Sequence, residues 1–372
     1  MSADATAFAV VTGGGTSGHV LPAIAIADAL VAGGHRASEI VYVGAKRGIE
    51  TRLLPPTGYP HHFLDVVGLQ RRLTLRNLTF PFKMVAAIGA ATKLLRRLRP
   101  AVVVSVGGYA SFPATLAARL RRIPIVVVSY DRRPGLASRI SARFATVCAT
   151  AFEGSTLPRA RFTGAPVRHE LITLDRAADR AGARSALGIP QDRFVVVVFG
   201  GSLGSRVLND AVTGMVDTFA ERADIAVRHV VGDRFLGTAA AERDGARGIM
   251  YTVIGYEDQM VRVYAAADLM ITRAGASTIA ELATVGMPAI IVPWAGSADD
   301  HQSDNARILG DGGAAIVITE DLLSARALAE AVTDLIDDPV RLGEMAAAAH
   351  DAGAPQRSGR LAALIEEVAA RP

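Results

Sequence analysis

Hydrophobic runs and helical patterns alternate along this chain. Runs rich in Val and Ile, such as 8–14, 39–45, 101–108 and 124–130, are apolar at almost every position. Nearly continuous apolar strands are typical of a parallel sheet that is buried on both faces. The segments between them have helical periodicity, and the one at 21–34 ends in two glycines, which is a helix C-terminal signal. This alternation predicts a doubly wound α/β domain.

The alternation restarts near the middle of the chain. A polar passage rich in Pro and Arg occupies about 160–193, and a new apolar strand followed by glycines begins at 194. With 372 residues, half of them hydrophobic, the chain is long enough for two cores. We therefore predict two Rossmann-like domains, 1–164 and 165–354, whose ligands bind at the carboxyl ends of the strands in a cleft between them. A last helix at about 355–372 is compatible with packing on either domain.

The composition bears on the cellular compartment of the protein and on its relation to membranes. Cys148 is the only cysteine, so no disulfide framework forms within the chain, and a reducing compartment is favoured. Because it lies in an apolar alternating stretch, we expect a packed core residue rather than a nucleophile. The first residues lack the basic segment of a signal peptide, and no uninterrupted run is long enough for a transmembrane helix. We expect a soluble protein, or one attached only to a membrane surface.

Glycine-rich turns follow apolar strands at 13–18, 200–204 and 273–278. Glycine permits close backbone approach, and a helix N-terminus offers free N–H groups and a positive dipole end, so each turn predicts an anion site. The first turn is not a dinucleotide fingerprint, because His19 stands where the helix begins and no ribose-binding acid follows about 20 residues later. His19 is at this point a general base, a phosphate ligand or a helix-capping residue.

The stretch 272–305 carries the richest set of polar side chains. Glu281, predicted in the first turn of the following helix, is either a ribose ligand or a glutamate stabilised by the helix dipole. The loop "DDHQSDN" at 299–305 suits a hydroxyl-rich ligand such as a sugar, or is a solvated helix start. Asn209 is equally a structural hydrogen-bonding residue or a ligand contact. We explain the carboxylate pair at 299–300 by loop hydration rather than by a metal site.

Taken together, these motifs resemble the MurG family of bacterial glycosyltransferases. They follow the order of that family from residue 13 to about 310: "GGGTSGHVLPAIAIADAL", "SVGGYASFPATLAA", "FTGAPVR", "GGSLGSRVLN" and "TRAGASTIAELATVGMPAIIVPWAGSADDHQSDNA". The resemblance implies a GT-B fold, in which two Rossmann-like domains face a cleft. It implies inverting transfer of N-acetylglucosamine from UDP-N-acetylglucosamine to a lipid-linked muramyl-pentapeptide, without a cofactor or metal, on the inner face of the cell membrane.

The resemblance also implies a role for each matching residue. His19 would be the catalytic base or a diphosphate contact. The acceptor diphosphate would face a glycine-rich set consisting of Gly14, Gly15, Gly107, Gly108 and Tyr109. The donor would be bound by Thr16, Ser17, Gly18, Arg168, Ser202, Gly255, Tyr256, Glu257, Met260, Ala276, Ser277, Thr278, Glu281, Gln302 and Asn305. Among these, Glu257 would read the uracil through its backbone, Glu281 would take the ribose hydroxyls, and Gln302 would bind the sugar.

A basic window supports attachment to a membrane. Residues 66–99 contain eight Arg and Lys and no Asp or Glu, with apolar side chains between the cations. This pattern suits an anionic membrane surface, with core packing as the rival explanation for the leucines. In similar enzymes the membrane patch lies in this part of the first domain. The predicted patch comprises Arg72, Leu75, Arg76, Leu78, Phe80, Phe82 and Lys83. We expect no nucleic-acid partner, and cell-wall synthesis proteins are candidate partners.

One loop departs from the family pattern. After the strand at 124–128 the family has His-Glu-Gln-Asn or a close variant, whereas this chain has Ser129, Tyr130, Asp131 and Arg132. Ala165 also replaces the usual Asn of the "GAPVR" motif. No Glu or Asn role can therefore be assigned in this loop. Two alternatives stay open: a paralogous enzyme with another lipid or natural-product acceptor, and a non-catalytic relative that binds nucleotide-sugar.

Overall fold

The computed structural model describes residues 6–66, 80–132, 134–201, 203–297 and 300–371. The chain divides into two compact units, one formed by Met1–His169 with Ser358–Pro372 and the other by Glu170–Arg357. Each unit has a seven-stranded sheet in which helices connect most of the successive parallel strands. The alternation of apolar runs and helical segments predicts this architecture. The observed division falls a few residues beyond 164, where we expected the boundary.

The first unit is a doubly wound α/β domain. Its strands are all parallel and lie in the order β3-β2-β1-β4-β5-β6-β7. The strands are β1 Ala9–Gly13, β2 Ile40–Ala45, β3 His61–Leu64, β4 Val102–Gly107, β5 Ile125–Ser129, β6 Val147–Thr150 and β7 Ala160–Phe162. The helices are α1 Ser17–Ala32, α2 Glu50–Leu53, α3 Phe80–Leu98, α4 Phe112–Leu120 and α5 Leu136–Ala142, and a short helix, α6 His169–Ile172, spans the division between the units.

The core of this unit follows from its apolar strands. Strands β1, β2, β4, β5 and β6 are buried at every position, as a sheet covered on both faces requires. Cys148 lies fully buried in this core, and burial raises the pKa of its thiol to about 11. It is therefore a packed core residue, as the apolar stretch around it predicts.

The second unit repeats the plan with strand order β10-β11-β9-β8-β12-β13-β14, in which only the β10–β11 pair is antiparallel. Its strands are β8 Phe194–Phe199, β9 Ile225–Val230, β10 Arg243–Asp244, β11 Met250–Ile254, β12 Leu269–Thr272, β13 Ala289–Ile291 and β14 Ala315–Val317. Its helices are α7 Arg176–Ala186, α8 Arg206–Thr218, α9 Met260–Ala266, α10 Ala276–Val285, α11 His301–Gly310, α12 Ala325–Asp337, α13 Pro339–Ala352 and α14 Ala354–Arg357.

The last helix, α15 (Arg360–Ala369), belongs to the first unit. Its buried side chains, Leu361, Leu364, Ile365 and Val368, have the spacing of one helical face. That face packs against β4, β5 and β6, and the helix also contacts α1. The chain therefore returns to its first domain at its end.

Asn209 has a structural role in the second unit. Its amide donates to the Val231 carbonyl, and its Oδ1 is 3.1 Å from Nε2 of the fully buried His229. Burial lowers the pKa of His229 to about 4, so this imidazole is neutral at pH 7. The network holds α8 against β9, and it settles the question that the sequence left open for Asn209.

Candidate functional site

The loop after β1 turns sharply into α1. Gly14 and Gly15 have φ angles of 153° and 94°, and Gly15 lies in a region that disfavours residues with a side chain. The N-terminus of α1 follows at once, with Thr16 as the residue before the first turn. The free N–H groups of that turn and the positive end of the helix dipole make this loop suitable for an anion. The structure does not describe the side chain of Ser17.

His19 lies in the first turn of α1 and is partly buried. Its Nδ1 is 3.0 Å from Oγ1 of Thr16. When Nδ1 carries the proton and donates it to Thr16, Nε2 has a free lone pair and can accept a proton from a substrate hydroxyl. Thr16 makes no capping hydrogen bond to the helix, so its hydroxyl is available to orient the imidazole.

The pKa of His19 lies below the ordinary value of 6.5. Burial is the largest cause, and the carboxylates of Asp131 and Glu50 raise the pKa against it. The imidazole is therefore predominantly neutral at pH 7, which is the state required of a general base. This charge state favours proton acceptance over a permanent cationic contact with phosphate.

A second glycine-rich loop, after β4, packs against the first. Gly107 and Gly108 have φ angles of 96° and 76°. A Cβ on Gly107 would lie 3.4 Å from the His19 ring, and a Cβ on Gly108 would overlap with the Gly14 carbonyl. The two loops can approach this closely only because position 108 is glycine, while Gly107 is favoured by its positive φ. The predicted acceptor residues of both loops therefore lie together beside His19.

The divergent loop after β5 contributes directly to this cluster. The Tyr130 hydroxyl donates to the Gly18 carbonyl in α1, and its ring meets the His19 ring edge-on with 6.4 Å between centroids. Tyr130 is buried, and burial raises its pKa well above 10, so the phenol stays neutral. Where the MurG family has four polar residues, this chain places the aromatic ring of Tyr130 beside His19. The sequence alone did not indicate this role.

The glycine loop after β8 builds a comparable feature in the second unit. Gly201 and Gly204 have φ angles of 86° and 67°, and a Cβ on Gly204 would overlap with the Val231 carbonyl. The Ser205 side chain caps α8 by accepting from the Leu208 N–H. The N-terminus of α8 follows this loop directly, and the positive end of its dipole suits the anion site that the sequence predicts there. Ser202, predicted to contact the donor diphosphate, lies outside the described residues.

Sequence reasoning missed an ion pair between a buried arginine and a partly buried glutamate at the same edge of the sheet. Arg273, directly after β12, donates to Oγ of Ser205 at 2.6 Å and forms an ion pair with Glu320. The other carboxylate oxygen of Glu320 accepts from the Ala295 N–H at 3.2 Å. Arg273 thereby links the glycine loop to the loop that begins at residue 293. Arg273 lies within the quoted 272–305 motif, but its partner is 47 residues away.

The segment after β11, predicted to bind the base, is held from inside the domain. Glu257 is buried and forms an ion pair with Arg228 of β9, with 2.7 Å between Oε2 and Nη2. Its Oε1 accepts from the Gln259 N–H at 2.8 Å. The carboxylate is therefore engaged within the protein, which is compatible with the predicted contact between the Glu257 backbone and a base edge. Tyr256 is exposed, and Met260 begins α9.

Glu281 lies in the second turn of α10, and our placement in the first turn is wrong. The helix begins at Ala276, and its first turn contains no acidic residue. The residues Ala276, Ser277 and Thr278 form that first turn instead. The buried Tyr264 hydroxyl donates to Oε2 of Glu281 at 3.1 Å. Since Glu281 is partly exposed, a carboxylate oriented by Tyr264 can still accept hydrogen bonds from a ligand.

The predicted sugar loop precedes and begins α11. Oε1 of Gln302 accepts from the Trp294 N–H at 3.0 Å, and this bond does not use the two donors of its amide N–H₂ group. The Trp294 side chain is half exposed beside it. Asn305 is fully buried and donates to the Ala274 carbonyl, while its Oδ1 has no partner among the described residues. Asp299 lies outside the described residues.

The predicted site residues fall into two sets. The first unit brings together His19, Thr16, Gly18 and the five acceptor positions, and it also contains Arg168. The second unit gathers the remaining described donor residues after strands β11, β12 and β13, at the carboxyl edge of its sheet. Among the described residues no group of three or more His, Cys, Asp or Glu side chains could hold a metal ion.

Comparison with known proteins gives the same match for both halves. The model of the glycosyltransferase family 28 N-terminal domain matches residues 9–150, and that of the C-terminal domain matches 195–361. UDP-N-acetylglucosamine–N-acetylmuramyl-(pentapeptide) pyrophosphoryl-undecaprenol N-acetylglucosamine transferases of Desulforudis audaxviator and a Nocardioides species are 38% and 40% identical to the chain. The alignments cover 97% and 96% of this chain and 98% and 97% of those relatives.

Solved structures show the same architecture. Acinetobacter baumannii MurG aligns with a TM-score of 0.73 at 27% identity, covering 96% of this chain and 99% of that one. The UDP-GlcNAc 2-epimerase of Neisseria meningitidis aligns at 0.65 with 14% identity, covering 97% and 99%. The glycosyltransferase of kitacinnamycin aligns at 0.63 with 17% identity, covering 98% and 99%. The last two comparisons show the fold alone.

Proposed function

The chain belongs to glycosyltransferase family 28, and from this premise we propose that it builds the lipid-linked disaccharide unit of peptidoglycan. It transfers N-acetylglucosamine from UDP-N-acetylglucosamine to the muramyl-pentapeptide carried on undecaprenyl diphosphate, as the names of its relatives state. The observation that carries this proposal is the full-length match to these enzymes. It is a UDP-N-acetylglucosamine-dependent hexosyltransferase with a GT-B fold.

We propose that His19 is the general base. Its neutral imidazole takes the proton from the acceptor hydroxyl, and the hydroxyl oxygen attacks the anomeric carbon of N-acetylglucosamine from the face opposite UDP. The bond from the anomeric carbon to the diphosphate oxygen breaks, and UDP leaves with the bonding electrons, so the configuration inverts. The position of His19 beside the acceptor glycines and its depressed pKa support this role.

We propose that protein groups, rather than a bound metal, stabilise the leaving diphosphate. The N-termini of α8 and α10 provide free N–H groups and positive dipole ends at the carboxyl edge of the second sheet. The resemblance adds Arg168 and Ser202 as diphosphate contacts. Stimulation of transfer by a divalent cation, measured against enzyme treated with a chelator, would contradict this part of the proposal.

The identity of the acceptor substrate distinguishes the proposed enzyme from a paralogous glycosyltransferase. Labelled UDP-N-acetylglucosamine would be incubated with the enzyme and either the lipid-linked muramyl-pentapeptide or a panel of hydroxylated lipids and aglycones. We expect label only in the muramyl lipid, with one UDP released per sugar transferred. Slow release of UDP without a labelled lipid, or transfer to another acceptor, would favour the paralogous enzyme. Donor binding without any turnover would favour the non-catalytic relative.

We further propose that the first unit attaches to an anionic membrane surface on the cytoplasmic side. In α3, Phe82 and Val85 are 79% and 70% exposed, and Lys83 lies between them. Exposed apolar side chains next to cations suit a membrane interface. No described helix is long and apolar enough to cross a membrane. Phe80 is also described, whereas Arg72, Leu75, Arg76 and Leu78 lie outside the described residues.

An arginine-lined recess adds to the positive charge of the same unit. It has a volume of about 580 Å³ and lies beside the amino-terminal end of β5. It is lined by Arg119, Arg122, Arg143, Arg159 and Arg371, without an acidic side chain in the lining. Each Arg or Lys close to an anionic membrane contributes about 1 kcal/mol of attraction. Arg371 is paired with Glu367, and the remaining four arginines give the recess a positive charge that suits an anionic group.

We expect the double variant Phe82→Glu/Val85→Glu to bind vesicles of phosphatidylglycerol at least about ten-fold more weakly, since it loses two apolar anchors and gains repulsion. Sedimentation with vesicles measures this. The matched control is Leu322→Glu/Val340→Glu in the second unit, whose side chains are 67% and 71% exposed. Equal vesicle binding by both variants and the wild type would exclude α3 as the attachment surface.

A further inference from the structure

Glu50 is a fully buried carboxylate that sequence reasoning did not single out. It is the first residue of α2, shortly after β2. Its Oε1 accepts from the Ala45 N–H at 2.8 Å, and its Oε2 accepts from the Gly15 N–H at 3.2 Å. A buried carboxylate is costly unless its oxygens accept hydrogen bonds. Glu50 satisfies this requirement by joining the end of β2 to the glycine loop before α1.

Three glycines make room for this one side chain. A Cβ on Gly48 or on Gly14 would overlap with the Glu50 carboxylate, and a Cβ on Gly44 would lie 3.0 Å from its Cγ. These glycines come from the loop after β1, from β2 itself and from the loop that precedes α2. The backbone on every side of Glu50 is therefore adapted to a carboxylate at this position.

The hydrogen bond from the Gly15 N–H connects Glu50 to the residue that precedes Thr16. Gly15 precedes Thr16, whose hydroxyl contacts His19. On its other side Gly15 faces the Tyr109 ring, since a Cβ there would lie 2.5 Å from Tyr109 Cε1. The loop is thus held between the Glu50 carboxylate and the Tyr109 ring, and the position of Thr16 depends on both.

We propose that Glu50 is a positioning residue for glycosyl transfer, because its carboxylate fixes the backbone of the glycine loop and thereby orients Thr16 and His19. This inference rests on the proposed role of His19 as the base. In this proposal Glu50 does not contact the substrate. Both of its carboxylate oxygens are required as hydrogen-bond acceptors, so a side chain of the same size with one acceptor oxygen is not sufficient.

The conservative variant Glu50→Gln tests this requirement. Glutamine has the same size but only one acceptor oxygen, so its amide N–H₂ would face either the Gly15 N–H or the Ala45 N–H. We expect kcat to fall about 10–100-fold, as for the loss of one or two hydrogen bonds to a charged group. The KM for UDP-N-acetylglucosamine should change less than about two-fold, because the variant leaves the second unit intact. Amide exchange in residues 13–18 should accelerate, while exchange at α8 stays constant.

A second variant disturbs the same carboxylate without removing its charge. Gly48→Ala inserts a Cβ where the Glu50 Oε2 lies, and we expect the same two changes in kcat and loop exchange. The matched control is Gly182→Ala in α7, where a Cβ meets no atom within 4 Å. If Glu50→Gln does not show a cooperative thermal transition, the result for Gly48→Ala decides.

Wild-type kcat in either folded variant would overturn the proposal, as would a fall in kcat without faster exchange at 13–18. The role of His19 is tested separately by His19→Ala. If His19→Ala is fully active, the proposed base is wrong. In that case, faster exchange in Glu50→Gln would show only that Glu50 anchors the glycine loop. The proposed role of Glu50 in positioning a catalytic base would then be wrong.

Discussion

Replacing His19 with Ala is expected to lower kcat by about 10²–10⁴-fold, the contribution typical of a positioned general base. The KM for UDP-N-acetylglucosamine should change little, since most donor residues lie in the second unit. His19→Gln should be equally impaired, because an amide can accept a hydrogen bond but cannot take the proton. Initial transfer rates with saturating acceptor measure both values. The matched control is His350→Ala, an exposed histidine of α13.

The pH dependence of the wild type gives an independent check. A base acts in its deprotonated form, so activity falls as pH drops through its pKa. Because burial holds the pKa of His19 in the free enzyme below its ordinary 6.5, the acid limb of the kcat/KM profile should lie below pH 6.5. A limb centred above pH 7, or a His19→Gln variant with wild-type kcat, would identify His19 as a phosphate ligand instead.

Replacing Glu281 with Ala is expected to raise the KM for UDP-N-acetylglucosamine about 10–100-fold. In the proposed complex its carboxylate accepts from ribose hydroxyls, and hydrogen bonds to a charged group contribute about 1.5–3 kcal/mol each. We expect kcat to change far less than KM, because the ribose is remote from the bond that breaks. Steady-state kinetics with varied donor, or calorimetric titration with UDP, measure this effect.

Two variants show whether the effect comes from the ribose contact. Tyr264→Phe removes only the hydroxyl that orients Glu281 and should raise KM by a smaller factor. Glu330→Ala removes an exposed glutamate of α12 and should leave donor binding unchanged. An unchanged KM in Glu281→Ala would show that this glutamate does not bind the ribose. It would favour the other interpretation that the sequence left open, in which Glu281 has only a structural role in its helix.

Local patterns predicted the framework of the molecule well. Continuous apolar strands, helical periodicity and glycine turns depend on neighbouring residues, so the two α/β domains and the loops before α1 and α8 could be inferred from them. The resemblance added the family and the candidate site. Glu281 shows the limit of such patterns. Its position within α10 depends on the residue at which the helix begins, and the polar stretch does not indicate that first residue.

The contacts that shape the site join residues far apart in the chain. Glu50 meets Gly15 across 35 positions, Tyr130 meets Gly18 across 112, and Arg273 meets Glu320 across 47. No periodicity reports such pairs, since they arise only when the carboxyl ends of parallel strands are brought to one edge. The two glycines that flank "AKR" before Glu50 were the only local signal of this contact. Their role is evident only from the structure, in which the Glu50 carboxylate lies against both of them.

The product of the reaction tests the central claim most directly. The enzyme would be incubated with UDP-N-acetylglucosamine and the undecaprenyl-diphosphate-linked muramyl-pentapeptide, and the lipid product analysed by mass spectrometry and NMR. We predict a lipid heavier by one N-acetylhexosamine residue, with a β-configured linkage as inversion requires, and an initial rate of its formation at least about 100-fold lower with His19→Ala. An unmodified muramyl lipid in the presence of folded wild-type enzyme, or an α-linked product, would contradict the account.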